Sequence, residues 1–360
     1  TFWFHSHQNS LEQMGRGQMG ILLVDYEDEN KPFLKQFYSD NIWMLKDYYI
    51  DNNGKNINCT SMANSATDGT LGNQKRINGK EIGAIKAPSG SWVRIRLING
   101  DNTRMAKINA YDENNNKVNA RVLLVDGNPL RKHRKLNKDY LTPGQRLDIA
   151  IKVPSSGLVS IKDVGGEKHH TIGVIKSNGS TKQHTELLSF PVNNIPKPNL
   201  SETITKRFAF LSSADSMGKF WSINGKSMGE HSTKQDFKAD DMGMGCDNNH
   251  DKVMDIIHQQ MADKEMAKPL AVLEKGKSYK FRIQNGTKHS HPIHLHGHTF
   301  VVLKSSLNKN LQPYHTDIVP LEPQEIIDFA FVADNVGDWM FHCHIIEHSV
   351  TGMMGYITVK

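Results

Sequence analysis

The sequence predicts an all-β protein built from antiparallel β-sandwiches, and three features support that fold class. Apolar and polar residues alternate over short runs such as 92–98 and 146–153, and a period of two is typical of strands with one buried face. Gly, Asn, Asp and Pro close these runs, as expected for the turns of a sandwich. Long amphipathic helical repeats are missing from the sequence, and residues 253–268 form the clearest helical candidate.

The chain has 360 residues, a length that predicts two or three domains. One boundary is predicted at residues 33–41, after the apolar strand 20–25. A second is predicted at 191–201, where three prolines stand among Asn and Ser, a composition typical of a linker. These boundaries separate a short first segment from two sandwiches, at residues 1–32, 42–190 and 202–360.

The first segment is too short to form a domain. It opens inside a predicted strand at Thr1, with no initiator Met and no export signal. We therefore expect the chain to be truncated or processed at its N-terminus, and the segment to be the end of a sandwich that begins upstream.

Composition excludes several classes of function. The net charge of +6 is spread along the chain, which favours solubility over nucleic-acid binding. No run of 18 apolar residues predicts a membrane span. The three cysteines form no CxxC pair and no disulfide framework, and nothing in their spacing supports a Cys59–Cys246 bridge.

The residues suited to metal chemistry form three histidine clusters. The clusters are His5 and His7; His291, His294 and His296; and His342, His344 and His348. Cys343 stands between His342 and His344. Alternate residues of a strand point to the same face. His342 and His344 therefore share one face, and Cys343 points to the other. His294 and His296 likewise share a face that His291 does not. This parity predicts two centres, one around Cys343 and His291 and one built only from imidazoles.

Ligand type selects the metal. One Cys, two His and a weak Met ligand form a blue-copper electron-transfer site, and Cys343, His291, His348 and Met353 supply that set. A cluster of imidazoles also suits copper. Zinc is the competing interpretation, but a structural zinc site needs four closed ligands, and zinc carries out no redox chemistry. The sequence thus favours copper.

Three segments resemble the copper motifs of multicopper oxidases. Residues 333–348 resemble the C-terminal signature of that family, residues 3–8 resemble its second motif and residues 291–297 its third. The similarity continues through residues 94–100 and 125–127, so that it covers nearly the whole chain. Among the subgroups, the sequence most resembles the bacterial copper efflux oxidases, which oxidise cuprous ion.

The resemblance implies tandem cupredoxin-like Greek-key sandwiches. Residues 1–32 would be the C-terminal remnant of cupredoxin domain 1, residues 42–190 domain 2 and residues 202–360 domain 3. Domain 3 would hold the type 1 copper and a Met-rich, partly helical insertion at about residues 228–268.

The resemblance also implies four copper ions and the residues that bind them. Type 1 copper corresponds to His291, Cys343, His348 and Met353, and type 2 copper to His294. The type 3 pair corresponds to His5, His7, His296, His342 and His344. The implied reaction is four one-electron oxidations at type 1, electron transfer through Cys343 to His342 and His344, and four-electron reduction of dioxygen to water.

The sequence departs from the family pattern in three places. The first His-Xxx-His motif is absent, so we expect the isolated chain to be inactive, without a complete trinuclear site. Ser349 stands where the efflux oxidases have an acid that helps to deliver protons, although Glu347 is retained. His289 lies where those enzymes have an Asp and Met pair before the type 1 histidine, and it is a candidate replacement contact.

The insertion is rich in thioethers, which prefer cuprous copper. We therefore expect a cuprous oxidase for copper detoxification, with Met242, Met244, Met254, His258 and Met261 as a substrate site. A laccase-like phenol oxidase and a non-enzymatic copper-binding protein are the alternatives. The partners would be O2 and Cu(I) or another small reducing substrate. By resemblance, we expect a monomer that is periplasmic or secreted.

Overall fold

The computed structural model describes residues 1–7, 10–24, 26, 31–56, 62–182, 186–212, 221–227 and 268–360. The described helices are short: α1 Ser10–Gly15, α2 Pro32–Lys35, α3 Met62–Ser65 and α4 Ile346–Val350. The strands are β1 Phe2–His5, β2 Met19–Leu22, β3 Phe37–Tyr48, β4 Gln74–Ile77, β5 Gly83–Ser89, β6 Trp92–Asn99, β7 Ala106–Tyr111, β8 Ala120–Val125, β9 Asn128–Lys135, β10 Asp139–Leu141, β11 Arg146–Lys152, β12 Leu158–Asp163, β13 His170–Thr181, β14 Ile204–Ser212, β15 Trp221–Ile223, β16 Ala271–Leu273, β17 Ser278–Asn285, β18 His291–Leu295, β19 Phe300–Ser305, β20 Tyr314–Thr316, β21 Ile318–Leu321, β22 Ile326–Val332, β23 Gly337–Cys343 and β24 Met354–Val359.

The described residues divide into two compact units. The first unit contains Thr1–Ser6, Gly17–Tyr48 and Asn73–Asn193, and the second contains His7–Arg16, Tyr49–Gly72 and Asn194–Lys360. Residues 7–16 and 49–72 thus belong to the unit that holds the C-terminal sandwich, whereas the predicted boundaries put them in segments 1–32 and 42–190.

The first unit contains a six-stranded sheet in the order β4-β3-β6-β11-β8-β9 and a five-stranded sheet in the order β10-β7-β12-β13-β5. The hairpin β1-β2 completes it. Trp43 of β3 lies against Gly83 of β5 and Gly173 of β13, so its indole joins the two sheets. A side chain at either glycine would occupy the space of the indole ring. This contact belongs to a largely aliphatic core that includes Ile95, Leu97 and Ile149.

The second unit repeats this plan, with sheets in the orders β15-β14-β17-β22-β19-β20 and β16-β24-β23-β18-β21. Its core is aromatic. Phe341 of β23 packs against Phe208 of β14 and Phe281 of β17, with ring centroids 5.2 and 5.8 Å apart, and these contacts join the two sheets. Four metal-ligand candidates of this unit lie on the adjacent strands β18 and β23 of the five-stranded sheet, namely His291, His294, His342 and Cys343.

The observed strands confirm the all-β prediction, and β6 and β11 match the predicted runs 92–98 and 146–153 closely. Two details differ from the predictions. The strand expected at 20–25 ends at Leu22, and β3 begins inside the predicted boundary 33–41. Each large sheet also contains one parallel pair, namely β3–β6, β5–β13, β14–β17 or β16–β24, so the sandwiches are not purely antiparallel.

The helical candidate 253–268 lies, except for its last residue, outside the described residues. Among the described helices, none has the length and apolar character needed to cross a bilayer.

Candidate metal centres

The pairing of β18 with β23 distributes the ligand candidates between two faces of one sheet. Ile293 lies opposite Cys343 and His294 lies opposite His342. Directly opposed residues of paired strands point to the same face, so His294 and His342 share one face while Cys343 points to the other. His291 lies two residues before Ile293 and therefore shares the face of Cys343. This is the separation that strand parity predicts.

On the Cys343 face, three side chains form a compact group, which we call the Cys–His group: His291, Cys343 and His348. The Nδ1 atoms of the two histidines lie 3.0 Å apart, and the sulfur of Cys343 lies 3.7 Å from each of them. Ligand atoms that bind one ion at 2.0–2.3 Å lie about 3–4 Å apart. All three residues are buried, and in the described part of the chain they are the one such triad of His, Cys or acidic residues.

Met353 is held beside this group through its backbone. Its N–H donates to the carbonyl of His348 at 2.9 Å, and its carbonyl accepts from the N–H of Cys343 at 3.0 Å. The register of β23 and β24 pairs His342 with Met354, which places Met353 opposite Cys343. Met353 is fully buried. The chain therefore brings a thioether, a thiol and two imidazoles to one place.

The outer ring nitrogens of the two histidines are already hydrogen-bonded. His348 donates from Nε2 to the carbonyl of Thr67 at 2.8 Å. The Nε2 of His291 lies 2.9 Å from the hydroxyl of Thr287, and that hydroxyl has Asn285 Oδ1 as an acceptor at 2.8 Å. Each histidine thus holds its proton on Nε2, which leaves the Nδ1 lone pair facing the sulfur.

Burial favours the neutral form of both imidazoles. It lowers the pKa of His348 to about 3. It also lowers the pKa of His291 well below the usual value, and the neighbouring His348 adds to that effect. Neutral imidazole is the form that binds metals, so both side chains are ready to act as ligands at neutral pH.

The thiol is also adapted to a metal. Burial raises the pKa of Cys343, while a hydrogen bond from the N–H of Ile345, at 3.4 Å from the sulfur, opposes that rise. A metal ion deprotonates a coordinating thiol. Hydrogen bonding to the sulfur then adjusts the reduction potential of a blue-copper site.

On the opposite face, five imidazoles form a second group, which we call the imidazole cluster: His7, His294, His296, His342 and His344. Neighbouring ring centroids lie 4.7–5.7 Å apart. The Nε2 atoms of His296 and His342 approach to 3.0 Å, a spacing suited to binding one ion. Burial, followed by the charges of the neighbouring histidines, lowers the pKa of His294 well below its usual value.

The imidazole cluster uses the opposite ring nitrogen from the Cys–His group. His294 donates from Nδ1 to the carbonyl of Asp317 at 2.7 Å, and His342 donates from Nδ1 to the carbonyl of Cys343 at 2.8 Å. Their Nε2 lone pairs are therefore available within the cluster. His294 and His342 therefore carry the proton on the opposite ring nitrogen from the two histidines of the Cys–His group.

The remaining predicted site residues lie elsewhere. His5 belongs to the first unit, where its ring stacks on Trp3 at 4.5 Å and its Nδ1 donates to the carbonyl of Ser6 at 3.0 Å. His289 lies near the Cys–His group, and its Nδ1 is 2.8 Å from Oδ1 of Asp68. The proposed substrate residues lie outside the described residues, namely Met242, Met244, Met254, His258 and Met261.

Comparisons with known proteins agree with this geometry. Residues 229–360 match the family model described as multicopper oxidase. The multicopper oxidase mco of Staphylococcus aureus is 27% identical over all of this chain and 68% of its own length. The crystal structure of a Pseudomonas thermotolerans multicopper oxidase superposes with a TM-score of 0.78 and 29% identity, covering 99% of this chain and 76% of that one.

The chain is similar to multicopper oxidases over nearly its whole length, and its residues 229–360 match the model of that family. Members of this family are oxidoreductases, and their cofactor is copper. The ligand atoms of the Cys–His group fit copper because they combine a thiol and two imidazoles at the spacing of a single coordination sphere. The paired sheets of each unit are the cupredoxin-like sandwiches of multicopper oxidases.

Sequence reasoning missed the groups that orient the ligands. Thr67 and Asp317 act through backbone carbonyls, which leave no signal in the sequence. Trp221 packs against His348 and His291 with ring centroids 4.5 and 5.0 Å apart, yet it stands 70 residues or more from either ligand in the chain. The hydroxyl of Thr287, four residues before His291, was the one local signal available.

Proposed function

We propose that the full gene product that contains this chain oxidises cuprous ion and passes the electrons to dioxygen. The observation that carries the proposal is the position of Cys343, whose sulfur lies in the Cys–His group while its neighbours in the chain, His342 and His344, lie in the imidazole cluster. In balanced form, four Cu(I), one O2 and four protons yield four Cu(II) and two H2O.

In this proposal, His291, Cys343, His348 and Met353 hold type 1 copper. His294 is a type 2 ligand, and the type 3 ligands are His5, His7, His296, His342 and His344. Bound copper would supply a one-electron acceptor at the first site and a centre for four-electron reduction of dioxygen at the second.

The chain's own residues connect the two centres. Cys343 is bonded through its backbone to His342 and His344. A second connection is the hydrogen bond from the Nδ1 of His342 to the carbonyl of Cys343. Both routes are short, which favours electron transfer from the sulfur to the imidazole cluster.

The composition of residues 228–266 supports cuprous ion as the substrate. Six methionines stand in this stretch, and thioethers prefer Cu(I). The second observation is the burial of His291 and His348, whose outer nitrogens are already bonded within the protein. A bulky organic donor therefore has no ligand ring to contact directly.

Oxygen uptake by the copper-loaded protein tests the proposal. The wild-type product of the full gene should consume one O2 for every four Cu(I) oxidised. Deletion of residues 237–266 should lower the rate with Cu(I) and raise the rate with a bulky phenol. Equal rates with Cu(I) before and after the deletion would refute the role given to these methionines.

A laccase-like phenol oxidase is the second candidate, and one comparison favours it. The laccase of Cryphonectria parasitica is 25% identical over 98% of this chain and 64% of its own length. A laccase would oxidise phenols at similar rates with and without residues 237–266. A non-enzymatic copper-binding protein, the third candidate, would take up no oxygen with any donor even when the full gene is expressed.

We further propose export and a role in copper detoxification, in line with the resemblance to the copper efflux oxidases. Cell fractionation and the growth of a deletion strain on copper test these two points. An exported protein should be recovered outside the cytoplasm, and the deletion strain should become more sensitive to copper.

A further inference from the structure

Residues 65–70 contact the surroundings of the Cys–His group at three points. The carbonyl of Thr67 accepts from Nε2 of His348 at 2.8 Å. The carbonyl of Ser65 accepts from the indole N–H of Trp221 at 2.7 Å, and that indole packs against both ligand histidines. Asp68 pairs with His289. This segment therefore controls the outer nitrogen of one ligand and the ring that supports both.

Glu347 holds the segment in place. Its carboxylate accepts hydrogen bonds from the backbone N–H of Thr70, from the Thr70 hydroxyl at 2.7 Å and from the Ser65 hydroxyl at 3.4 Å. The side chain is buried. A buried carboxylate is stable only when donors surround it, and hydrogen bonds to a charged acceptor are about twice as strong as neutral ones. Glu347 is thus a strong anchor for residues 65–70.

The anchor and the ligand are neighbours in α4. Glu347 binds residues 65–70 through Thr70 and Ser65. His348 donates to the carbonyl of Thr67 in the same segment, and this hydrogen bond orients its ring. The two contacts form a closed path from Glu347 through Thr70 and Thr67 back to His348. A shift of residues 65–70 would therefore move the acceptor of His348 Nε2 and change the orientation of that ring.

We propose that Glu347 is a positioning residue of the mononuclear copper site, acting on His348 and Trp221 through residues 65–70. This inference rests on the proposed function, in which the Cys–His group binds type 1 copper. It gives Glu347 a role in ligand geometry that is separate from the delivery of protons.

The physical effect follows from the hydrogen bond to Thr67. An acceptor on the second ring nitrogen fixes the orientation of a ligand imidazole and raises its basicity, and its removal costs about 10–100-fold in metal affinity or activity. A more basic ligand favours the oxidised ion. Release of residues 65–70 should therefore weaken copper binding and raise the reduction potential of the site.

Three substitutions in the copper-loaded protein test the proposal. Glu347→Ala removes every acceptor of the carboxylate, and Thr70→Val removes one donor while leaving the backbone N–H. Glu347→Gln keeps one oxygen acceptor, so its reduction potential and absorption should lie between those of the wild type and Glu347→Ala. We expect the reduction potential and the visible thiolate–copper absorption to change most in Glu347→Ala, with about a 10–100-fold loss of affinity at this site.

Ser349→Ala is the matched control. Ser349 is buried in the same helix next to His348, but its hydroxyl contacts the sulfur of Met354 at 3.6 Å and not residues 65–70. It should keep the wild-type potential and absorption. The imidazole cluster, followed by electron paramagnetic resonance, should remain unchanged in all four variants.

The outcomes separate this inference from the function on which it rests. Wild-type potential and absorption in both Glu347→Ala and Thr70→Val would overturn the positioning role. If Glu347→Ala does not fold, the reduction potential and absorption of Thr70→Val decide whether the positioning role holds. A wild-type protein that loads copper without thiolate–copper absorption would instead overturn the proposed type 1 site.

Discussion

At the scale of single residues, Cys343 connects two groups of histidines because successive strand residues point in opposite directions. Its sulfur reaches His291 and His348, whereas its backbone carbonyl accepts from the ring of His342. One residue therefore belongs to both faces of the five-stranded sheet. Replacing its side chain should affect one face and spare the other.

Cys343→Ser should abolish the visible thiolate–copper absorption and lower oxygen uptake by at least about a thousandfold, because the mononuclear site loses its sulfur ligand. Copper at the imidazole cluster should be retained. Absorption, copper analysis and oxygen electrode measurements on the same preparation check these points. Retained absorption would contradict the assignment of the sulfur as a ligand.

Thr287→Val should weaken copper binding at the Cys–His group about 10–100-fold, because the hydroxyl beside Nε2 of His291 is removed from a buried position. Copper titration against a chelator provides the measurement. Thr142→Val is the control, since Thr142 is buried in the first unit and its hydroxyl donates to Gln145. Equal affinities in the two variants would argue against a specific role for Thr287.

The sequence predicted which face of the sheet each candidate ligand occupies, but not how its ring is oriented. Parity within two strands was enough to separate His294 and His342 from Cys343. The proton positions depend on carbonyls of Thr67 and Asp317, which come from distant parts of the chain and can belong to any residue type. No pattern of side chains encodes such contacts, so they had to be observed.

At the scale of elements, the two sheets of the first unit meet where the indole of Trp43 lies against two glycines. Alternation of apolar residues predicted β6 and β11 well. It could not predict this contact, because Gly83 and Gly173 follow no periodic pattern. Their importance comes from the ring that fills the space above them.

Gly173→Ala should destabilise the first unit by about 1–3 kcal/mol, because the new methyl group would collide with the indole of Trp43. Urea unfolding followed by tryptophan fluorescence measures the change. Gly166→Ala is the matched control, since Gly166 is exposed with open space around it, and it should change stability by less than about 0.5 kcal/mol. A similar loss in both variants would show that the indole contact is not the cause.

Asp47, near the end of β3, makes the stability of the first unit depend on pH. Burial raises the pKa of Asp47 to about 7, the nearby Asp101 adds to that rise, and the guanidinium of Arg104 opposes it. The folded pKa thus lies above the unfolded value of about 4. Protonation of Asp47 stabilises the fold fully below pH 4, and this stabilisation is lost as the pH rises through 7.

Asp47→Asn should remove this part of the pH dependence. Between pH 5 and pH 8, the free energy of unfolding of the wild type should fall by up to about 3 kcal/mol more than that of the variant. Urea unfolding at both pH values provides the comparison. Identical slopes with pH would show that Asp47 does not titrate in this range.

At the scale of the whole molecule, the described metal-ligand candidates are divided unevenly between the two units. The Cys–His group and the imidazole cluster lie in the second unit, and His5 lies in the first. The sequence predicted the all-β character of the C-terminal region, which the strands confirm. It gave no indication that residues 49–72 belong to the second unit, because their contacts with α4 span more than 270 residues of chain.

Copper should therefore protect the second unit more than the first. A ligand that binds only the folded state stabilises it by RT ln(1 + [L]/Kd), or about 2.7 kcal/mol at a hundredfold excess over Kd. Hydrogen exchange with and without copper checks this expectation by segment. Exchange should slow in β18, β23 and residues 62–72 and remain similar in β6 and β11. Uniform slowing across both units would contradict it.

The carbonyls that fix the histidine tautomers have one more consequence. Because Thr67 and Asp317 act through main-chain oxygen, replacing their side chains leaves the acceptors in place. A mutational scan that changes only side chains would therefore leave both main-chain acceptors in place. The information that orients the metal ligands is carried by the path of the backbone, where substitution data cannot detect it.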